Sequence, residues 1–243
     1  MIFANPVIKF ILSMLLLMHQ GPITPFPGIS GGSSCSVVTH THIQSATPTV
    51  TGTGVTATLV FPSAITAGDL VVVGDQNNGV PAMSSITLTS GDSGTWTAPP
   101  PPYYEAQGAV GVEFLYYIPS TGGGGTTLTL HAQGSGGFNS DRIVGDEWSG
   151  ASCAVDVSAV LVGGTGTTAT PSSMTTTNNG ELIVQHIEVS GNNTITPGGS
   201  FVSGSTANNS TLAYWTQPTA GATAVAAGLS PSTAWGMAQV AFK

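Results

Sequence analysis

Val55-Thr-Ala-Thr-Leu-Val-Phe61 sets how the rest of the chain is read. Val55, Ala57, Leu59 and Phe61 fall on alternate positions with threonines between them, the period of a strand with one buried face. The same reading extends outward. Ser85-Ile-Thr-Leu-Thr89, Val110-Gly-Val-Glu-Phe-Leu-Tyr-Tyr-Ile118 and Thr126-Thr-Leu-Thr-Leu130 alternate or are rich in β-branched and aromatic residues. Asp69–Val73, Arg142–Trp148, Glu181–Val189, Leu212–Trp215 and Ala234–Phe242 continue the series. Asn77-Asn-Gly79, Gly122-Gly-Gly-Gly125 and Asn178-Asn-Gly180 supply turns between them. After residue 19 no amphipathic helical pattern of useful length appears. Short strands at this spacing predict an all-β, antiparallel sandwich or barrel.

A chain of 243 residues fits one large β-domain. Only 6% of its residues are charged, against roughly 25% in an ordinary soluble domain. Three basic residues (Lys9, Arg142, Lys243) stand against eleven acidic ones, a net charge of −8. No basic patch exists to neutralise phosphates, so nucleic acid is excluded as a partner class. A polar, weakly charged surface also does little to keep copies apart. A homo-oligomer or helical polymer is therefore the expected partner state.

The N-terminus carries an apolar run, Val7 to Met18, of signal-peptide length and too short for a stable membrane span. It predicts export, although Lys9 interrupts it and no small-x-small cleavage site follows. Cys35 and Cys153 are the two cysteines. An even pair in an exported chain predicts a disulfide, with two buried thiols as the alternative. The bridge would close a loop of about 118 residues and contribute roughly 4 kcal/mol on the chain-entropy model.

Several motifs invite chemistry. Gly91-Asp-Ser-Gly94 has the spelling of a chymotrypsin-like nucleophile, but it continues Thr95-Trp96 where Gly-Pro is needed, and no properly placed His and Asp precede Ser93. A hairpin loop accounts for it. His40-Thr-His42 places two imidazoles on one face of a strand, as metal-binding pairs do, but brings no third ligand with it. Two solvent-facing histidines on an edge strand are the expectation. Asp146 and Glu147 are adjacent and point to opposite faces, so they cannot act jointly on one sugar. Trp96, Tyr103 and Tyr104 are candidate sugar contacts on and beside a proline-stiffened loop. The alternative, and the favoured one, is that Trp96, Trp148, Trp215 and Trp235 are all core residues of the sandwich. Asn192, Asn208 and Asn209 begin glycosylation sequons. No cofactor motif is present.

From about residue 50 to its end, the chain resembles a β-sandwich module that recurs in secreted bacterial surface proteins and phage virion proteins. The matching stretches are Ile65–Val73, Ser85–Trp96, Phe114–Ile118, Asp146–Gly150, Glu181–Val184 and Met237–Lys243. The resemblance implies a jelly-roll-like fold and a surface role, and carries no catalytic residues with it. It leads to a division into a signal-like segment (1–20), an N-terminal extension (21–48) and a β-sandwich domain (49–243). Two functions follow: a non-enzymatic extracellular subunit of a fibre, filament or virion surface, or a carbohydrate-binding module whose partners are glycans. Within the extension, Val37, Val38, His40 and His42 form a strand-like stretch that can pair within its own subunit or be donated to a neighbouring one.

Overall fold

The computed structural model describes residues 39–49, 56–77, 83–89, 112–118, 123–132, 142–150 and 155–243. Among them there is no helix, and every strand pairing is antiparallel. The strands are β1 (Thr41–Ser45), β2 (Thr47–Thr49), β3 (Thr56–Val60), β4 (Leu70–Asn77), β5 (Met83–Thr89), β6 (Val112–Ile118), β7 (Thr127–Ala132) and β8 (Val144–Ser149). They continue with β9 (Val155–Ala169), β10 (Met174–Thr175), β11 (Glu181–Val189), β12 (Thr194–Thr196), β13 (Val202–Ala207), β14 (Ser210–Gln217), β15 (Ala222–Thr223) and β16 (Ala227–Phe242).

Among the described residues the strands form three antiparallel sheets and a two-stranded ribbon, the all-β architecture that the period-two pattern predicts. The first has the order β1-β8-β4-β6 and the second β2-β3-β7-β5. The third runs β12-β16-β11-β14-β13, with β9 also paired to β16, and a β10-β15 ribbon stands apart from all three. Period-two alternation explains the stacking. On β4 and β8 one set of side chains, Leu70, Val72, Val144 and Trp148, packs with Leu182, Val184, Leu212, Val240 and Phe242 of the third sheet. The opposite set of β4, Val71 and Val73, is equally buried, and on that side Gly145 of β8 approaches the Leu59 side chain of β3. The first sheet is thereby the middle layer. Each fully buried Leu, Val or Phe there contributes about 1.5–3 kcal/mol relative to exposure.

β11 is buried along its whole length. Its second face, Ile183, Ile187 and Val189, joins Met174, Phe201, Trp235 and Met237 in another cluster. Polar Gln185, on that same face, is accommodated by donating to the Val225 carbonyl at 3.0 Å and to Gln239 Oε1 at 3.3 Å. Trp148 and Trp235 are core residues and Trp215 is partly buried against the core, as expected.

The division between extension and domain at 48/49 falls inside β2, and Cys35–Lys243 clusters as one compact unit. Pro48 looks like a breaker, yet β2 is an edge strand that pairs only with β3, a position where a missing N–H is tolerated. β9, which the sequence analysis did not single out, carries Gly163, Gly164 and Gly166; Gly164 lies against Trp235, and a Cβ there would sit 2.8 Å from its ring.

Candidate functional site

The densest polar chemistry centres on β8. Asp146 and Glu147 are fully buried and, being adjacent, serve opposite faces of the strand. Both meet β1, and a bulge makes this possible. His42 pairs with Trp148 and Gln44 with Glu147, so Ile43 is the extra residue, 45% exposed. The bulge places His42 and Ser45 on the same side although they are three residues apart.

On that side, Ser45 Oγ donates to Asp146 Oδ1 at 2.5 Å, and His42 Nε2 lies 3.1 Å from the same oxygen. The Ser205 amide of β13 reaches both carboxylate oxygens at 2.9 Å, and its hydroxyl donates to the Ala46 carbonyl at 3.0 Å. This approach requires glycine next door: a Cβ on Gly204 would stand 2.1 Å from Asp146 Oδ2. The His42 ring stacks on Tyr214, centroids 4.8 Å apart at 12°, and meets Trp148 edge-on at 5.7 Å. Burial, then the Asp146 charge, raises the Tyr214 phenol above its ordinary pKa.

On the other side, Gln44 Nε2 donates to Glu147 Oε2 and, at 3.1 Å, to the Ser63 carbonyl. Ser63 returns two bonds to Gln44 Oε1, both 2.9 Å, and the Thr66 amide donates to Glu147 Oε1 at 2.7 Å. Asp69 completes the group. Burial foremost, then a hydrogen bond and charge repulsion from Glu147, pushes its carboxyl up to about 6.

Ser45, His42 and Asp146 are the residue types of a hydrolytic triad, but their geometry is different. A relay needs the serine and the carboxylate on opposite ring nitrogens. Here both approach Nε2, and the Ser45 hydroxyl donates to the carboxylate. A second group repeats the pattern in the interior: His186 Nε2 lies 2.9 Å from Ser210 Oγ and 3.0 Å from Glu188 Oε1, all three residues fully buried. Each group links neighbouring strands, Ser45 to Asp146 and His186 to Ser210.

The histidine expectation needs correction. His40 is 7% exposed, its imidazole held below the ordinary pKa by burial despite a hydrogen bond with the Phe242 backbone, and His42 is turned onto Asp146 and Tyr214. Neither faces solvent as a free edge residue, because β1 is covered on one side by the third sheet. No group of three metal-ligating side chains occurs among the described residues. Asn192 and Asn208 are exposed, whereas Asn209 is buried at 3% and is poorly placed to accept a glycan. Cys35, Val37, Val38, Ser93, Trp96, Tyr103, Tyr104, Cys153 and the segment 1–20 lie outside the described residues. No described helix is long and apolar enough to cross a membrane.

Gln44, Ser45, Asp69, Ser205 and Tyr214 were not singled out by sequence. Their hydrogen-bond partners lie up to 159 positions away, and the bulge that aligns His42 and Ser45 has no composition signal. Comparison of the chain with protein-family models, curated proteins and solved structures finds no significant match.

Proposed function

We propose that the chain is a non-enzymatic, extracellular structural subunit that assembles with copies of itself into a surface fibre, a filament or a virion surface layer. One observation carries the reading: Asp146, Glu147 and His186, the groups with most chemical potential, are turned onto neighbouring strands and loops, and Asp146 also accepts from Ser205 of the third sheet. A surface with 6% charged residues supports it, since such a surface does little to repel a second copy. So does the resemblance to a module of secreted and virion proteins.

Jelly-roll architecture belongs to the same proposal. The orders β1-β8-β4-β6 and β3-β7-β5, with β1 and β2 taken as one bent strand, support that reading with seven of a jelly roll's eight strands. Export through the segment 1–20 and a Cys35–Cys153 bridge complete the picture. Negative-stain microscopy and light scattering on native material test it: regular filaments or layers are expected, and a purely monomeric species would defeat the proposal.

A further inference from the structure

We infer that Lys243 and Asp156 of one chain are joined by an intramolecular isopeptide bond, with Glu181 as the proton carrier that closes it. Strand register puts the three residues side by side at one end of the third sheet. β16 lies between β9 and β11, and its Phe242 pairs with Val155 on one side and Leu182 on the other. Lys243 follows Phe242 and Glu181 precedes Leu182. Between the pairs Ala241–Val157 and Phe242–Val155 the register of β9 shifts, which leaves Asp156 as an extra residue. The Asp156 side chain is 2% exposed, and Lys243 Nζ reaches its Oδ1 at 2.8 Å from a half-exposed position. Glu181 is buried beside them. Amine and carboxyl are thus held together where little water competes.

An ion pair needs only two residues, and this site has the parts of a reaction. The Thr177 amide donates to Asp156 Oδ2 at 2.8 Å and its hydroxyl to Oδ1 at 2.6 Å, two donors placed to hold the oxygen of a tetrahedral adduct. The amide and side-chain nitrogens of Asn178 both donate to Glu181 Oε1 at 2.8 Å, which leaves Oε2 to carry a proton. Oε2 is buried, no other donor among the described residues reaches it, and the protonated Glu181 donates to Asp156. Burial foremost raises the Glu181 carboxyl above its ordinary pKa, over the opposing Asn178 bonds, and the Asp156 charge adds to the rise. In the reaction Glu181 gives its proton to the Asp156 carboxylate and takes one from the Lys243 ammonium, leaving a neutral amine beside a neutral carboxyl. Nζ attacks Cγ of Asp156 while Thr177 holds the oxyanion. Glu181 then gives a proton to the departing hydroxyl and takes the second one from nitrogen. The C–O bond breaks, water leaves, the amide remains and Glu181 is protonated as at the start. No oxidant or cofactor enters.

Mass spectrometry of the folded full chain, reduced and then denatured, tests the bond. The parent protein is expected to weigh one water less than the same chain unlinked, and its digest to contain a branched peptide joining the Asp156 segment to Lys243. Lys243→Arg keeps the ion pair but cannot form the amide, so it should regain the water and lose the branched peptide. Glu181→Gln, which keeps the shape of the side chain and removes the proton carrier, should fold, as read by circular dichroism, and stay unlinked. Asp156 and Lys243 found on separate peptides in the folded parent protein would overturn the inference, and that map decides it whether or not the variants fold. A water still missing in Lys243→Arg would place the loss elsewhere and overturn it equally. Linkage in Glu181→Gln as fast as in the parent would overturn the role given to Glu181.

Discussion

His42 and Tyr214 stack with ring centroids 4.8 Å apart, joining the edge strand β1 to the third sheet across the Asp146 carboxylate. The contact ties three strands, β1, β8 and β14, into one polar junction between the first and third sheets. What happens to that junction when its charge is removed is the first thing to measure.

Asp146→Ala is expected to lose about 3–5 kcal/mol in urea denaturation, because it orphans the Ser45 hydroxyl and the Ser205 amide together. Asp146→Asn, which keeps the shape and one acceptor, should cost less. Equal, small losses in both variants would mean the junction does not bear on stability.

Gly204→Ala drives a methyl to within 2.1 Å of Asp146 Oδ2. Overpacking of this kind costs about 1–3 kcal/mol. Gly228→Ala is the control, since the nearest atoms to its Cβ are at 3.9 Å. Denaturation midpoints should fall for the first and stay nearly constant for the second.

Asp69 supplies a pH dependence. Its carboxyl rises from 3.8 to about 6 on folding, so the folded state binds this proton more tightly than the unfolded chain. The stabilisation is complete below about 4 and is lost as pH climbs through 6, where Asp69 and Glu147 become two neighbouring charges. Asp69→Asn should be more stable than the parent protein at pH 8, by about 1–3 kcal/mol, and should flatten the profile between pH 4 and 6. Unchanged slopes in the variant would remove Asp69 from the account.

Two outcomes concern residues outside the described parts. Mass spectrometry of native, non-reduced protein is expected to find Cys35 linked to Cys153. A serine-directed covalent probe should leave Ser93 unmodified, and Ser93→Ala should alter nothing but hairpin stability, slightly. Free thiols, or a labelled Ser93, would contradict these expectations.

Local pattern carried much of the fold. Glu181–Val189 is β11 to the residue, and the alternation at Val55–Phe61 places β3 within one position at each end. The opposite orientation of Asp146 and Glu147 was also legible, because it follows from strand geometry alone. What escaped was long-range. β9 hides behind glycines whose purpose appears only when Trp235 lies against them. The number of sheets depends on which strands pair, and β1 pairs with residues about a hundred positions downstream. His42 illustrates the limit: its partners Asp146 and Tyr214 come from two different sheets.

Self-assembly of the chain is the proposal on which the functional reading depends. Size-exclusion chromatography with light scattering on native material, followed over a dilution series and viewed in negative stain, measures that directly. The account predicts a mass many times the 24.3 kDa of one chain and particles of uniform width. A single species at 24.3 kDa at every concentration, with no ordered particles, would contradict it.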